Sequence, residues 1–290
     1  MIITIVGPTG VGKTKLSVEL AKRLNAEIIN GDSMQVYKGL DIGTAKVTES
    51  EKEGSPHHLF DIVDVVDNYT VYDYQRDARK KIEELQKNNK NIIIVGGTGL
   101  YIKAALYDYK FDYEDNHINY DNYSIEELVK RIKDIDSSIE IDFSNRRRVE
   151  RTLEKLENNS SFTNDGDKVV YPSIIIGLTT NRETLYKKIN ERVDKMIDDG
   201  LVHEVKALFD QNINSKAINT GIGYKELYKY FNGEITYEDA IELIKKNSRK
   251  YAKRQYTFFN NKMDVKWFNT DYSCFTKTID EIYNYIISKK

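Results

Sequence analysis

Short runs of apolar residues recur along the chain and predict the strands of a buried sheet. Each run has the length and composition of a strand covered on both faces, which is typical of parallel sheets. The runs are 2–6, 26–30, 91–95, 173–178 and 265–268. Helical patterns separate them, so the alternation predicts an α/β fold with a parallel sheet flanked by helices.

Between these runs, apolar residues repeat at helical spacing. In the segment 15–24, Leu16, Leu20 and Leu24 recur every four residues. Helices are also predicted at 72–86, 125–135, 146–156 and 279–287, after a capping box at Thr180–Glu183, and after Thr236 with Asp239 three positions on.

The first predicted strand runs directly into a glycine-rich loop with a complete phosphate-binding pattern. The pattern G-x-x-x-x-G-K-[ST] is matched by Gly7, Pro8, Thr9, Gly10, Val11, Gly12, Lys13 and Thr14. A strand before it and a helix after it are the context that this motif requires. Its backbone N–H groups converge on an anion, Lys13 adds a cation, and the Thr14 hydroxyl is placed to ligate Mg²⁺. The sequence therefore predicts that the protein binds a polyphosphate.

Composition narrows the class of protein further. The 290 residues are 40% apolar and 31% charged, with a formal net charge of −2, which is typical of a soluble globular chain. No membrane span is predicted, and the first strand leaves no room for a signal peptide. The lone Cys274 excludes an internal disulfide, so a cytoplasmic location is expected.

Polar residues follow two of the predicted strands. Asp32 and Ser33 come after the second apolar run, where ligands of parallel sheets bind, although this stretch is also ordinary turn chemistry. The run 91–95 ends in Gly96-Gly97-Thr98. Many phosphate-loop enzymes carry a magnesium-organising aspartate at such a position, and a threonine is a poor replacement for that acid.

Three further features have both a structural and a functional interpretation. Residues 108–167 interrupt the pattern and are predicted to be a small, mainly helical insertion, with 1–107 and 168–290 forming the core. Arg192 lies at the edge of an apolar helical stripe, where spacing alone favours snorkelling to solvent over a polar cavity. The long helix after Thr236 has a basic face without an acid among its cations, which favours a phosphate-bearing partner. Those cations are Lys245, Lys246, Arg249, Lys250, Lys253 and Arg254.

Taken together, these stretches resemble the tRNA dimethylallyltransferase family, also called tRNA isopentenyltransferases. The matching segments follow one another in the family's order over nearly the whole chain. They are GPTGVGKT, GDSMQVYKGLDIGTAK, PHHLFDI, GGTGLYIKAAL, INERVDKMIDDGLVHEV, GIGYKELYKYFNGEITYEDA and RKYAKRQYTFF. The resemblance implies a P-loop NTPase-like fold whose loop holds dimethylallyl diphosphate rather than ATP.

The resemblance also implies an activity and a set of site residues. The dimethylallyl group would go to the exocyclic N6 of adenosine 37, directly 3′ of the tRNA anticodon. Asp32 would accept the N6 proton, while Lys13, Arg192, the loop N–H groups and Mg²⁺ on Thr14 would stabilise the leaving diphosphate. The residues implied in contacts with the tRNA anticodon stem-loop are Asp32, Ser33, Met34, Gln35, Thr98, Arg148, Arg249, Lys253 and Arg254. A monomer without membrane attachment is expected.

Two segments depart from the family pattern. The stretch 142–145 reads Asp-Phe-Ser-Asn where the family usually has His-Pro-Asn-Asp, and the acidic stretch 107–122 has no counterpart of an expected arginine. The alternative functions are a nucleotide or small-molecule kinase, with 146–151 as a lid over ATP, and a phosphate-loop RNA-binding protein without prenyl transfer. The Gly96-Gly97-Thr98 sequence argues against the kinase.

Overall fold

A computed structural model gives the fold of the chain and describes residues 1–111, 119–158 and 166–289. Parts of the acidic stretch 107–122 and of the polar segment 158–167 lie outside these described residues.

The described residues form one sheet of six parallel strands, in the order β3-β2-β4-β1-β5-β6. The strands are β1 (Ile2–Val6), β2 (Ala26–Asn30), β3 (His57–His58), β4 (Asn91–Val95), β5 (Ile174–Thr179) and β6 (Lys266–Asn269). Ile5 and Val6 of β1 point to opposite faces and are both fully buried, because helices cover both faces of the sheet. This double cover explains why the strands appear in the sequence as continuous apolar runs.

Helices alternate with the strands along the chain. Their bounds are α1 (Lys13–Leu24), α2 (Glu49–Lys52), α3 (Val71–Lys87), α4 (Gly99–Leu106), α5 (Ile125–Ile135), α6 (Arg146–Glu157), α7 (Arg182–Asp198), α8 (Leu201–Asp210), α9 (Lys216–Thr220), α10 (Tyr224–Phe231), α11 (Tyr237–Lys262) and α12 (Phe275–Ile287). None of the helices in the described ranges is both long and apolar enough to cross a bilayer.

The chain divides into two compact units, Met1–Tyr107 with Val169–Lys290, and Asp108–Lys168. The first unit contains the sheet and the phosphate loop. The second contains α5 and α6, which bury Leu128, Ile132, Val149 and Leu153 against each other. A buried apolar cluster of its own explains why the second unit is compact.

Two details of the sequence prediction are corrected. The cap of α7 is Asn181, whose side chain accepts the Thr184 N–H at 2.9 Å, so the predicted capping box at Thr180 is wrong. Strand β3 was not predicted, because its two residues are too short a run to have a period. His57 and His58 lie on this edge strand, and His58 Nε2 is 2.7 Å from Glu27.

Candidate active site

The phosphate loop connects β1 to α1 in a backbone conformation that depends on its glycines. Gly7, Gly10 and Gly12 all have positive φ, at 134°, 86° and 92°, a region that other residues rarely adopt. A Cβ on Gly7 would also lie 2.5 Å from the Leu178 carbonyl oxygen of β5. The sequence pattern therefore folds as a phosphate-binding loop with the start of α1 at its base.

The segment after β6 supports the outer side of this loop. Tyr272 Oη donates to the Gly10 carbonyl at 3.2 Å, and Thr270 Oγ1 donates to the Val11 carbonyl at 3.1 Å. The N–H groups of Gly10, Val11 and Gly12 have no acceptor among the described residues. With the carbonyls held from outside, these N–H groups are available to an anion.

Lys13 and Arg192 place two cations beside the loop. Lys13 Nζ donates to the Pro8 carbonyl at 2.8 Å. Burial, together with the charge of Arg192, lowers the pKa of Lys13 to about 7, while Asp32 raises it. An anion bound between them would restore the ordinary basicity of Lys13, since opposite charge favours the protonated form.

Arg192 does not snorkel to solvent. From α7 its Nη1 donates to Thr9 Oγ1 in the phosphate loop, and its Nη2 lies 3.4 Å from the Thr44 carbonyl. Burial lowers the pKa of Arg192, and the charge of Asp32 raises it. The interpretation from helical spacing alone was therefore wrong, and the guanidinium reaches into a polar cavity.

Asp32 lies at the carboxyl end of β2 with its carboxylate held in place. Asp32 N–H donates to Asn30 Oδ1 at 2.9 Å, and Asp32 Oδ1 accepts the Met34 N–H at 2.9 Å. No described residue donates to its second carboxylate oxygen. Asp32, Lys13 and Arg192 line one cavity of about 790 Å³, so the structure brings together a carboxylate and two basic side chains.

The diglycine after β4 allows a close approach to the Asp32 turn. A Cβ on Gly96 would lie 2.1 Å from the Gly31 carbonyl carbon. This approach lets Thr98 Oγ1 accept the Ser33 N–H at 3.0 Å and donate to Ser33 Oγ at 3.2 Å. The glycines are therefore required by packing, and Thr98 and Ser33 form one hydrogen-bonded pair beside Asp32.

Met34 and Gln35 also line the cavity. Gln35 Nε2 donates to the Thr44 and Ala45 carbonyls at 3.0 and 3.3 Å. Its amide nitrogen therefore holds the loop that follows Leu40, and its Oε1 is the atom left for a ligand.

The residues proposed from the basic face differ in their surroundings. Lys253 and Arg254 are exposed on α11, and Arg254 also lines the cavity. Arg249 donates to Asn190 at 2.6 Å, and Lys245 pairs with Asp194 at 2.7 Å. The sequence predicted that the cations of α11 have no acidic partner, and this prediction is wrong for Lys245.

Arg148 is exposed on α6 and belongs to the second compact unit. The other residues predicted to form the site lie in the first unit.

Two residues that support the site were missed from the sequence. Glu204 of α8 accepts the N–H groups of Asp41, Ile42 and Gly43 at 3.1, 2.7 and 3.1 Å, and thereby fixes the loop that presents Thr44 to Arg192. Gln255 of α11 contacts the phosphate loop at Thr9. Both are single polar residues in helices, and no spacing distinguishes them from solvated ones.

The hydroxyl of Thr14 is the oxygen ligand that the phosphate loop offers to a metal ion. Thr14 is exposed in the cavity, and its hydroxyl has no partner among the described residues. No group of three His, Cys, Asp or Glu side chains in the described ranges is arranged to hold an ion. One hydroxyl fits a Mg²⁺ that takes most of its oxygen ligands from a phosphate substrate and water.

Comparison with known proteins gives one family. The IPP transferase family model matches residues 35–262. The tRNA dimethylallyltransferase of Anoxybacillus flavithermus is 49% identical over 99% of this chain and 96% of its own length. The corresponding enzyme of Bacillus subtilis is 48% identical over 92% of this chain and 90% of its own length.

Solved structures agree with this result. The full-length tRNA isopentenylpyrophosphate transferase of Bacillus halodurans has a TM-score of 0.77 at 43% identity, covering 99% of this chain and 96% of its own. A eukaryotic dimethylallyltransferase acting on tRNA has a TM-score of 0.83 at 28% identity, covering 100% of this chain and 80% of its own.

Proposed function

Because this chain belongs to the IPP transferase family, we propose that it transfers a dimethylallyl group from dimethylallyl diphosphate to N6 of adenosine 37 in tRNA. One observation carries the proposal: Asp32, Lys13 and Arg192 line a single cavity at the carboxyl ends of the parallel strands. Two cations suit a diphosphate leaving group, and a carboxylate suits the acceptor of an amine proton.

In this reaction, N6 attacks the allylic carbon as the bond between that carbon and the diphosphate oxygen breaks. The bonding electrons leave with the diphosphate, and the N6 proton goes to Asp32. The diphosphate is bound, as it leaves, by Lys13, Arg192 and the free N–H groups of the phosphate loop. The Thr14 hydroxyl would hold Mg²⁺, which supplies further charge neutralisation at the diphosphate.

The kinase alternative is less well supported by the site. After β4, the chain has a glycine that packs against Gly31 and a threonine that pairs with Ser33, in place of an acid for the metal of ATP. We extend the proposal to a monomeric, cytoplasmic enzyme that takes the anticodon stem-loop as its RNA substrate.

One incubation tests the proposed function. The protein, Mg²⁺ and dimethylallyl diphosphate are mixed with an unmodified stem-loop carrying adenosine 3′ of the anticodon, and the RNA is weighed by mass spectrometry. A gain of one dimethylallyl group is expected. Unchanged RNA would reject prenyl transfer, and ATP consumption with phosphate transfer would favour the kinase.

Binding of dimethylallyl diphosphate is expected to take up a proton above pH 7. The pKa of Lys13 is about 7 in the free protein, and a bound diphosphate would raise it. Lys13 must then be protonated on binding, so Kd should increase by up to about tenfold per pH unit above pH 7. Calorimetry in buffers of different ionisation enthalpy measures the uptake.

The control for this pH dependence is Lys13→Arg, whose guanidinium remains charged. Both proteins share the ligand's own titration, so the difference between their Kd profiles isolates Lys13. Equal slopes between pH 7.5 and 9 would contradict the expectation.

Reversing the charges of Lys253 and Arg254 to Glu is expected to weaken stem-loop binding. Each cation that neutralises a phosphate releases a counterion, so losing two should reduce the slope of log Kd against log salt by about two. Filter binding across a salt series measures the slope. The control replaces Lys80 and Lys87, two exposed lysines of α3, and an equal effect there would remove the assignment to α11.

A further inference from the structure

The side chain of Gln255 connects two parts of the site that lie far apart in the chain. It is only 4% exposed. Its Oε1 accepts the Thr9 N–H of the phosphate loop at 3.1 Å, and its Nε2 donates to the Gly97 carbonyl after β4 at 3.0 Å. One buried amide therefore joins the phosphate loop to the turn that carries Thr98.

The connection depends on a glycine. A Cβ on Gly97 would lie 2.1 Å from Gln255 Nε2, so a larger residue there would push the amide away. With Gly96 packed on Gly31, the diglycine thus serves two contacts, one to the Asp32 turn and one to α11.

The same helix also faces the cavity that Asp32 lines. Tyr251, one turn before Gln255, lines this cavity, and burial raises its pKa to about 12. Thr98 in turn pairs with Ser33 next to Asp32. Gln255 therefore connects Thr9 to Gly97, and Gly97 is followed directly by the threonine that contacts the Asp32 segment.

Lys253 and Arg254 stand immediately before Gln255 and are exposed. An RNA that binds these cations would order the segment of α11 that carries the Gln255 amide. The buried amide of Gln255 is hydrogen-bonded through both its oxygen and its nitrogen. Ordering α11 would therefore also order the N–H of Thr9 and the turn at Gly97.

We propose that Gln255 is a positioning residue that couples the diphosphate site to the RNA site, so that RNA bound to α11 tightens the phosphate loop around its anion. The proposal rests on the proposed function. Coupling between two sites is reciprocal, so the diphosphate must tighten RNA binding by the same factor. The expected factor is about fivefold to tenfold, the lower part of the usual range of coupling between sites.

The test measures the Kd of inorganic pyrophosphate in Mg²⁺ buffer by calorimetry, with and without a saturating anticodon stem-loop. Gln255→Met keeps the volume of the side chain and removes both hydrogen bonds. The matched control is Gln75→Met, because Gln75 is also buried and donates from Nε2 to the Ala104 carbonyl at 2.9 Å. The melting temperature of each variant separates a loss of stability from a loss of coupling.

Stem-loop should tighten pyrophosphate binding in the wild type and in Gln75→Met, and the ratio of the two Kd values should fall toward one in Gln255→Met. An unchanged ratio in Gln255→Met, or a ratio of one in the wild type, would overturn the coupling. Stem-loop binding is recorded separately in the same series. Its absence in the wild type would reject the RNA substrate and the coupling together, whereas bound RNA with a ratio of one rejects the coupling alone.

Discussion

Replacing Asp32 by asparagine is expected to lower kcat by roughly 10²- to 10⁴-fold, the usual contribution of a positioned base. Asparagine keeps an oxygen that can accept the Met34 N–H, so the turn after β2 should persist. The amide cannot take the proton that N6 loses on attack. Single-turnover transfer to the stem-loop measures the chemical step directly.

Binding of dimethylallyl diphosphate should survive this change. Asp32 is the negative charge beside Lys13 and Arg192, and its removal leaves a more positive cavity for an anion. We therefore expect an unchanged or lower Kd for the diphosphate in Asp32→Asn and in Asp32→Ala, with turnover lost in both.

The control for Asp32 is Asp136→Asn. Asp136 accepts the N–H of Ser138, two positions on, at 2.9 Å, in the same local arrangement but in the second unit. Its replacement should leave turnover unchanged. Turnover of Asp32→Asn within tenfold of the wild type would remove Asp32 as the proton acceptor.

The sequence was informative about the strands because they are buried on both faces. The runs 2–6, 26–30 and 91–95 coincide with β1, β2 and β4. The parallel sheet flanked by helices is confirmed, since burial on two sides produces an apolar run that no turn interrupts. Strand β3 escaped prediction because two residues cannot establish a period.

Residues of the site could be predicted where a motif constrains the backbone. Gly7 and Gly12 are needed for positive φ, and the helix start follows from them, so Lys13 and Thr14 were placed by the loop itself. Gln255 and Glu204 could not be predicted, because their roles depend on contacts with residues distant in the chain. Tertiary contacts of this kind have no local periodicity to detect.

Arg192 shows the limit of helical spacing. Its position at the edge of the apolar stripe of α7 is compatible both with snorkelling and with a buried polar site. Thr9 and Thr44 favour the buried site, because they provide oxygen acceptors for the Arg192 guanidinium. Only the folded chain brings these acceptors to the guanidinium.

Replacing Arg192 by methionine is expected to lower kcat by roughly 10²- to 10³-fold, as for the loss of one group that stabilises developing charge. The leaving diphosphate gains negative charge as its bond to the allylic carbon breaks, and Arg192 reaches the phosphate loop where that charge develops. Arg192→Lys keeps the cation without the planar fork, so its loss should be smaller. Rapid-quench measurement of transfer, with both substrates saturating, reports this step.

The control is Arg182→Met, on the first turn of α7, where the guanidinium lies over Tyr186 at the surface.

A second measurement on Arg192→Met distinguishes loss of charge from loss of folding. Arg192 lowers the pKa of Lys13, so Arg192→Met should raise that pKa and reduce proton uptake on diphosphate binding at pH 8. If Arg192→Met has a higher KM and an unchanged kcat, Arg192 binds the substrate and the transition state equally. The stabilisation of the leaving group would then come from Lys13 and the loop N–H groups.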